Sequence, residues 1–556
     1  MANSKQNQRK KKKKDLSRGR RALRNWAVSD RNISPRIAAR LDEIYDWIHE
    51  GDFEAAEESL ESLIAKYGSN PTVLEAQLFL YQEAKNWESC SGVARKLMAL
   101  KPHDPAPAMV YAQSSMFCGR LGIATHQYRE FLKKWAKDEY ADKASTALEM
   151  LEPECKSIIE RMGFGDDRIE NLTALRPLTG MELLVMHDQV VETVQHGQYE
   201  SATKKCLDLL KYVPRFIPAR NNLALAYFQS GQVEKAVRVA EETFQLDPEN
   251  RFAEGNLGNL LFLSGRFDEA QEIADRIVAN PPEGQDALGT AIALMSFLGR
   301  DKDVLTLAKV ANQHHFDPRS QAIILHHLAV AQFRLGDQRG ASSNWKKCLS
   351  VMPSHPQALA NLEELEKDEG HAPWADPINK WIPRKCVDDL VNRYSANKKE
   401  KLNLVQEYPI IAKLIPAILD RGDKLGRELA VRLAKADGSP AMLEVLKKFA
   451  LSSRGPDSMR VEVLNWLADK EYLGNGPHRF FCKGKWTDVK TFAPEIHWEA
   501  TLNLPAWQEK LHEAGNQAMR EGDFNQAERI FEEILEKQPD DCSAAYNLTV
   551  IWLQRD

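Results

Sequence analysis

Between Asn221 and Ser230 the apolar side chains fall at Leu223, Ala224, Tyr227 and Phe228. That is the spacing of a helix burying one face. Gly231 follows and predicts the end of the helix, because glycine takes φ > 0 without the steric cost other residues meet. A second helix is predicted from about Glu234 to Gln245. It carries Ala236, whose small side chain lets two helices approach closely. Pro248 closes the unit, since proline cannot continue a helix interior. The pattern recurs: Gly197, Gly231, Gly265 and Gly299 are each 34 residues apart. Ala202, Ala236 and Ala270 keep the same step, as do Pro214, Pro248 and Pro282. Three residue types on one period define a repeat array.

These residues resemble the tetratricopeptide repeat. With the turn glycine at repeat position 15, the family has Leu at 7, a small residue at 8, Tyr at 11, Ala at 20 and Pro at 32; here Leu223, Ala224, Tyr227, Ala236 and Pro248 stand there. Leu257, Gly258, Leu261, Ala270 and Pro282 follow in the next unit, and Leu328, Ala329, Ala341, Trp345 and Pro353 in a later one. Gly51, Phe53 and Ala56, then Lys85, Trp87 and Pro102, then Gly119, Ala124 and Tyr128 mark earlier units. Ala514, Gly515, Gly522, Phe524, Ala527, Phe531 and Pro539 mark a last one. The resemblance implies an all-α solenoid of stacked helical hairpins, each unable to bury its apolar face alone.

The organisation expected is a disordered basic tail over 1–30, a first repeat block over 37–138, an irregular helical linker over 139–182 and a second block over 183–370. A Pro/Trp-rich connector follows over 371–404, rigid and non-helical through Pro373, Trp374, Pro377, Trp381 and Pro383. Residues 405–470 are helical without the repeat signature and resemble HEAT-type hairpins. Residues 471–500 hold a small β element, with Phe480, Phe481, Trp486, Phe492 and Trp498 suited to a pleated surface. The last repeat and a final helix occupy 506–556; that helix is either a solvating cap or a site of self-association.

Composition narrows the function. Apolar residues make up 43% and charged residues 28% of the 556, an ordinary soluble balance. No apolar run approaches the length of a membrane span, and no apolar core follows the basic N-terminus as in a secretory signal, so a cytoplasmic location is expected. The eight cysteines stand singly without CxxC spacing, against a zinc ribbon or redox motif. No HExxH, GxSxG, P-loop or dinucleotide fingerprint is present, so neither catalysis nor a cofactor is expected. Gly255 and Gly258 sit inside a predicted helix rather than a phosphate loop. His314 and His315 fall in a predicted loop and His326 and His327 at the start of the next helix, where adjacent rings diverge. Solvated or groove-lining histidines are expected there, and no metal site.

The resemblance also implies where a partner binds. First helices of such repeats line a concave groove, and members that bind extended peptides use an asparagine ladder at position 6. Here that position is Asn222, Asn256, Thr290, His327 and Asn361, with Asn259 at position 9 and Phe228, Phe262, Phe297 and Phe333 at positions 12 and 13. Asparagine offers two donors and an acceptor to a peptide amide. The alternative, that these amides tighten hairpin packing, stays open. A carboxylate clamp is not expected, since position 13 reads Gln229, Leu263, Phe297 and Arg334. The function expected is a protein–protein interaction scaffold or adaptor.

Charge supplies a second candidate. Residues 5–24 carry eleven basic side chains and one acid, which leaves −15 on the rest of a chain with net charge −5. Lys10, Lys11, Lys12, Lys13 and Lys14, then Arg18, Arg20, Arg21 and Arg24, make a tail suited to a nucleic-acid backbone, anionic lipid or an acidic partner. A purely solvating arm is the alternative.

Overall fold

Each repeat unit folds as two helices joined by a turn that needs positive φ. In this computed structural model, residues 35–68, 70–164, 178–311, 316–365, 372–395, 403–473, 477–490 and 504–553 are described. They form two compact units by contact: residues through Leu467 together with Arg479–Asp488, and Ala468–His478 together with Val489–Asp556.

In the first unit, three hairpins come first: α1 Pro35–Glu50 with α2 Phe53–Tyr67, α3 Pro71–Glu83 with α4 Trp87–Leu100, and α5 Pro105–Phe117 with α6 Leu121–Lys134. The single helix α7 Ala141–Arg161 follows. The second block pairs α8 Gly180–Gln195 with α9 Tyr199–Tyr212, α10 Ile217–Gln229 with α11 Val233–Leu246, and α12 Arg251–Leu263 with α13 Phe267–Ala279. It continues with α14 Gln285–Leu298 and α15 Asp301–Ala311, α16 Pro318–Arg334 and α17 Gln338–Val351, and α18 Pro356–Leu365.

The periodic residues have visible jobs. The turn glycines 197, 231, 265 and 299 have φ of 67°, 76°, 80° and 76°. Lys85 holds the same turn position at φ 55° without glycine. Ala56, Ala124, Ala202, Ala236, Ala270, Ala341 and Ala527 are all fully buried where the paired helices meet. Gly255 and Gly258 let α12 approach α14: a Cβ on them would lie 2.4 Å from the Thr290 hydroxyl and 2.5 Å from Leu294. Some helix starts are fixed by side-chain caps, as where Asp317 accepts from the N–H groups of Arg319 and Ser320, with Pro318 in the first turn.

The two blocks meet through buried polar groups. Glu192 accepts from Ser91 and Tyr111 at 3.0 Å each and from Arg95 at 2.9 Å. Arg120, also buried, binds Glu88 at 2.8 Å and Gln195 at 2.7 Å. A buried carboxylate needs such partners to offset its desolvation.

After the second block the chain forms α19 Ile378–Trp381, α20 Arg384–Ser395, α21 Leu404–Glu407, α22 Pro409–Arg421, α23 Lys424–Asp437, α24 Pro440–Ala450 and α25 Asp457–Asp469. The connector over 371–404 thus contains a helical turn at 378–381, within the stretch to Pro383 expected to be non-helical, and the helix α20 after it. Pro377 stands at the N-cap of that turn, where a proline is tolerated because the turn begins after it. The strands β1 Pro477–Cys482 and β2 Lys485–Lys490 pair as a hairpin. Lys483 and Gly484, at φ 49° and 73°, form its two-residue turn. Buried Arg460 of α25 holds the hairpin, donating to the carbonyls of Ser452 and Phe481 at 2.6 Å and stacking on Phe480 at 5.1 Å.

In the second unit, α26 Ala506–Glu521, α27 Phe524–Lys537 and α28 Cys542–Leu553 pack around fully buried Phe531 and Ile534. Gly515 makes room for the Phe531 ring, which a Cβ would approach to 2.7 Å. Tyr546 and Trp552 of the final helix are exposed. Among the described residues no helix is long and apolar enough to cross a membrane.

Candidate functional site

The sequence-derived groove residues divide into two sets. Asn222, Asn256 and Asn259 are half-buried on the first helices of their hairpins. The Asn259 amide donates to the carbonyl of Thr290 at 3.2 Å, while its own oxygen is buried without a hydrogen-bond partner. Phe333 is half-buried too, with its ring 6.4 Å from that of Trp345. Phe228, Phe262, Phe297, His327 and Asn361 are buried. They do not face a vacant groove, and this corrects the expectation that they lie open to a partner.

The cover over four of those five comes from the chain itself, in residues 372–384. Asn361 bonds the main chain of Trp374 twice: its amide donates to the carbonyl at 3.1 Å, and the Trp374 N–H donates to its oxygen at 3.2 Å. His326 contacts the Ala375 carbonyl at 3.0 Å. Trp381 sits edge-on to Phe297 at 4.8 Å and to Phe262 at 6.1 Å, and those two rings stack at 5.6 Å. The Gln229 amide donates to the Asn379 carbonyl at 3.2 Å, and the Arg384 N–H donates back to Gln229 at 3.0 Å. Arg427, fully buried, fixes the start of the segment by donating to the Ala372 carbonyl at 2.8 Å. Burial lowers that guanidinium to about 10, with Arg334 adding to the effect.

The histidines differ from expectation in place and environment. His326 and His327 lie in the middle of α16, because the Asp317 cap starts the helix eight residues before them. Both are buried rather than solvated. Trp345 donates to His326 Nδ1 at 3.2 Å, so the ring proton sits on Nε2 and is given to Ala375. Burial, then His327 and His355, hold His326 well below the ordinary histidine value. Burial also lowers His327, partly opposed by Asp376. His327 Nδ1 hydrogen-bonds Ser296 at 2.8 Å and its Nε2 stands 4.0 Å from Asp376.

Ser296, His327 and Asp376 are the residue types of a nucleophilic triad. The cavity beside them, bounded by Phe297, Arg334, Trp381 and Arg421, measures about 10 Å³. That is about one water, with no room for a substrate. Ser296 orients His327, and His327 in turn faces Asp376 of residues 372–384. Among the described residues no group of three metal-ligating side chains converges. Burial pushes the Cys90 and Cys206 thiols up to about 12, which removes them as nucleophiles at neutral pH.

A basic rim follows the segment, and the sequence reading missed it. Arg384, Lys385, Lys413 and Arg421 lie against the turn glycines 197, 231, 265 and 299 in that order. Arg421 donates to Asp301 at 2.9 and 3.0 Å and to the Ser296 carbonyl at 3.3 Å, close to the negative end of α14. Arg334 binds Asp420 at 2.7 Å. Burial alone would raise Asp420, but Arg334, Arg421 and Arg454 hold its carboxyl below the usual range. Nothing periodic in 384–421 signals these contacts.

The first block has a cleft of its own on α5. Met109, Gln113 and Met116 line it with Gln82, Tyr140 and Lys143, around a volume of about 320 Å³. These α5 residues occupy positions 5, 9 and 12 counted from Gly119, so the period could have found them. The basic tail from Lys10 to Arg24, His314, His315, Phe492 and Trp498 lie outside the described residues.

The tetratricopeptide repeat family model matches residues 194–285 and 512–556. Those two stretches are tetratricopeptide repeats. Among solved structures, it is similar to a tetratricopeptide repeat protein from Parabacteroides merdae at 13% identity, over 53% of this chain and 97% of that one, with a TM-score of 0.30. It is also similar to the TPR2AB domain of yeast Sti1, solved as a pHSP90 complex, at 12% identity over 49% and 95% of the chains, with a TM-score of 0.19. The TPR domain of P58(IPK) aligns at 12% identity over 74% and 97%, with a TM-score of 0.23. No curated protein sequence matches the chain.

Proposed function

We propose that the chain is a protein-interaction scaffold whose repeat helices read an extended peptide through their inner-face amides, with no bond made or broken. One observation carries this reading. Asn361 pairs with both the N–H and the carbonyl of Trp374, the contact an asparagine makes to an extended ligand. Asn222 and Asn256 stand at the same repeat position and are half-buried, each with part of its surface still exposed. The Met109–Met116 cleft adds an apolar seat for a bulky side chain in the first block.

The test is selection from a random-sequence peptide display library, followed by affinity measurement on full-length protein. Asn222→Ala with Asn256→Ala is expected to weaken the selected peptides about tenfold, the loss of one or two hydrogen bonds, with helicity and melting unchanged. An equal loss of fold would assign the amides to packing, and unaltered affinity would remove them from the site. A second reading rests on the eleven basic residues within 5–24, which suit a nucleic-acid backbone. RNA binding that falls steeply with salt and vanishes on deleting residues 1–24 would support it.

A further inference from the structure

Residues 372–384 are held the way a ligand is held. Three side chains, Asn361, His326 and Gln229, make five contacts to the main chain of Trp374, Ala375, Asn379 and Arg384. One side chain, Trp381, supplies the apolar anchor against Phe262 and Phe297. The segment has a single helical turn, and the residues flanking that turn are extended, with Pro377 at φ −71°, ψ 160° and Ile382 at φ −120°, ψ 135°. Main-chain recognition plus one buried aromatic anchor is how a groove takes an extended peptide.

The fit is incomplete. Trp374 Nε1 and Asp376 Oδ2 are buried without hydrogen-bond partners. No protein group hydrogen-bonds either atom, and His327 Nε2 comes only to 4.0 Å of Asp376, so the seat is weaker than the one the same groove offers a better-matched occupant. The segment is nevertheless favoured, because tethering keeps it at high local concentration.

We propose that residues 372–384 are an internal ligand. The inner face of the second block recognises an extended, proline-flanked peptide anchored by one tryptophan. This chain's own copy fills that seat in cis, and an external protein segment of the same chemistry binds by displacing it. The inference rests on the peptide-binding reading but runs through other residues. Failure of the Asn222 and Asn256 test therefore leaves the displacement test standing, and the reverse also holds.

The test uses full-length protein and a labelled synthetic peptide with the sequence Ala372–Arg384. Binding is expected to be about tenfold or more tighter to Trp381→Ala than to wild type, because the competing anchor is gone. A folded Trp381→Ala chain that takes up the peptide no better than wild type overturns the proposal. Hydrogen exchange on unaltered protein decides the matter if that variant does not fold. The Trp374 and Arg384 amides, which donate to Asn361 and Gln229, are expected to exchange through local opening, faster than the amides of α12 and α14. Exchange of 372–384 only together with α12 and α14 would make the segment a fixed strut and overturn the proposal.

Discussion

Phe117 and Phe297 occupy the same place in their repeats, two residues before the turn glycine. Phe117 is 52% exposed and stacks on Trp87 with ring centroids 4.5 Å apart; Phe297 is 6% exposed. Repeat geometry is shared, so it does not set the difference. Residues 372–384 set it, by laying Trp381 on Phe297, while no described residue does the same for Phe117 beyond Trp87. The inner face of a repeat array is thus defined twice: once by the period, and again by whatever non-periodic chain returns to it. Here the second block is closed in cis over 372–384 and the first keeps an open cleft of about 320 Å³.

The sharpest way to break this comparison is to truncate both rings. Phe297→Ala is expected to cost the second block about 3–5 kcal/mol, because it empties a buried aromatic site. Phe117→Ala should cost about 1 kcal/mol or less, the value of a surface ring pair. Denaturant unfolding, with hydrogen exchange assigning the loss to a block, checks both. Equal costs would mean the two faces are equally covered.

The amides allow the same contrast at smaller scale. Asn361→Ala leaves the part-buried N–H and carbonyl of Trp374 without their partner and is expected to cost about 1–3 kcal/mol. The Asn222→Ala, Asn256→Ala pair should stay within about 0.5 kcal/mol of wild type, as half-exposed side chains do. Thermal melting separates them.

The last contrast is one of pH. His326 and His327 are lowered by burial from the ordinary value of 6.5, so the unfolded chain binds protons that the folded chain refuses. Their contribution to stability is complete above pH 6.5 and falls as pH drops below it towards their folded values. The loss is up to about 1.4 kcal/mol per pH unit for each. No histidine lines the first block's cleft, so local exchange protection measured at about pH 7.5 and 5.5 should fall in α16 and hold in α5.

Much of the fold was legible because one physical requirement repeats every 34 residues. A glycine at φ > 0 and an alanine between two helices leave a mark whatever the surrounding residues are, as Gly231 and Ala236 show. Where chemistry substitutes, the mark fades: Lys85 turns the chain at φ 55° without glycine. The site was half legible. Asn361 is expected to contact the main chain of a partner or to tighten packing, and the main chain it contacts is that of Trp374 in the same molecule. Nothing local encodes that, since Gln229 and Asn379 are 150 residues apart and only one of them is periodic. The clue was an imbalance: Trp374 and Trp381 in a segment with no core of its own, and an aromatic run of Phe228, Phe262, Phe297 and Phe333 along the first helices of successive repeats.

The central claim is that one inner face is filled by its own chain while the other is open. Hydroxyl-radical footprinting of the full-length protein tests it most directly. Heavy oxidation at Met109, Met116 and Phe117, with little at Phe262, Phe297 and Trp381, is the expected result. Comparable oxidation of the two sets would contradict it.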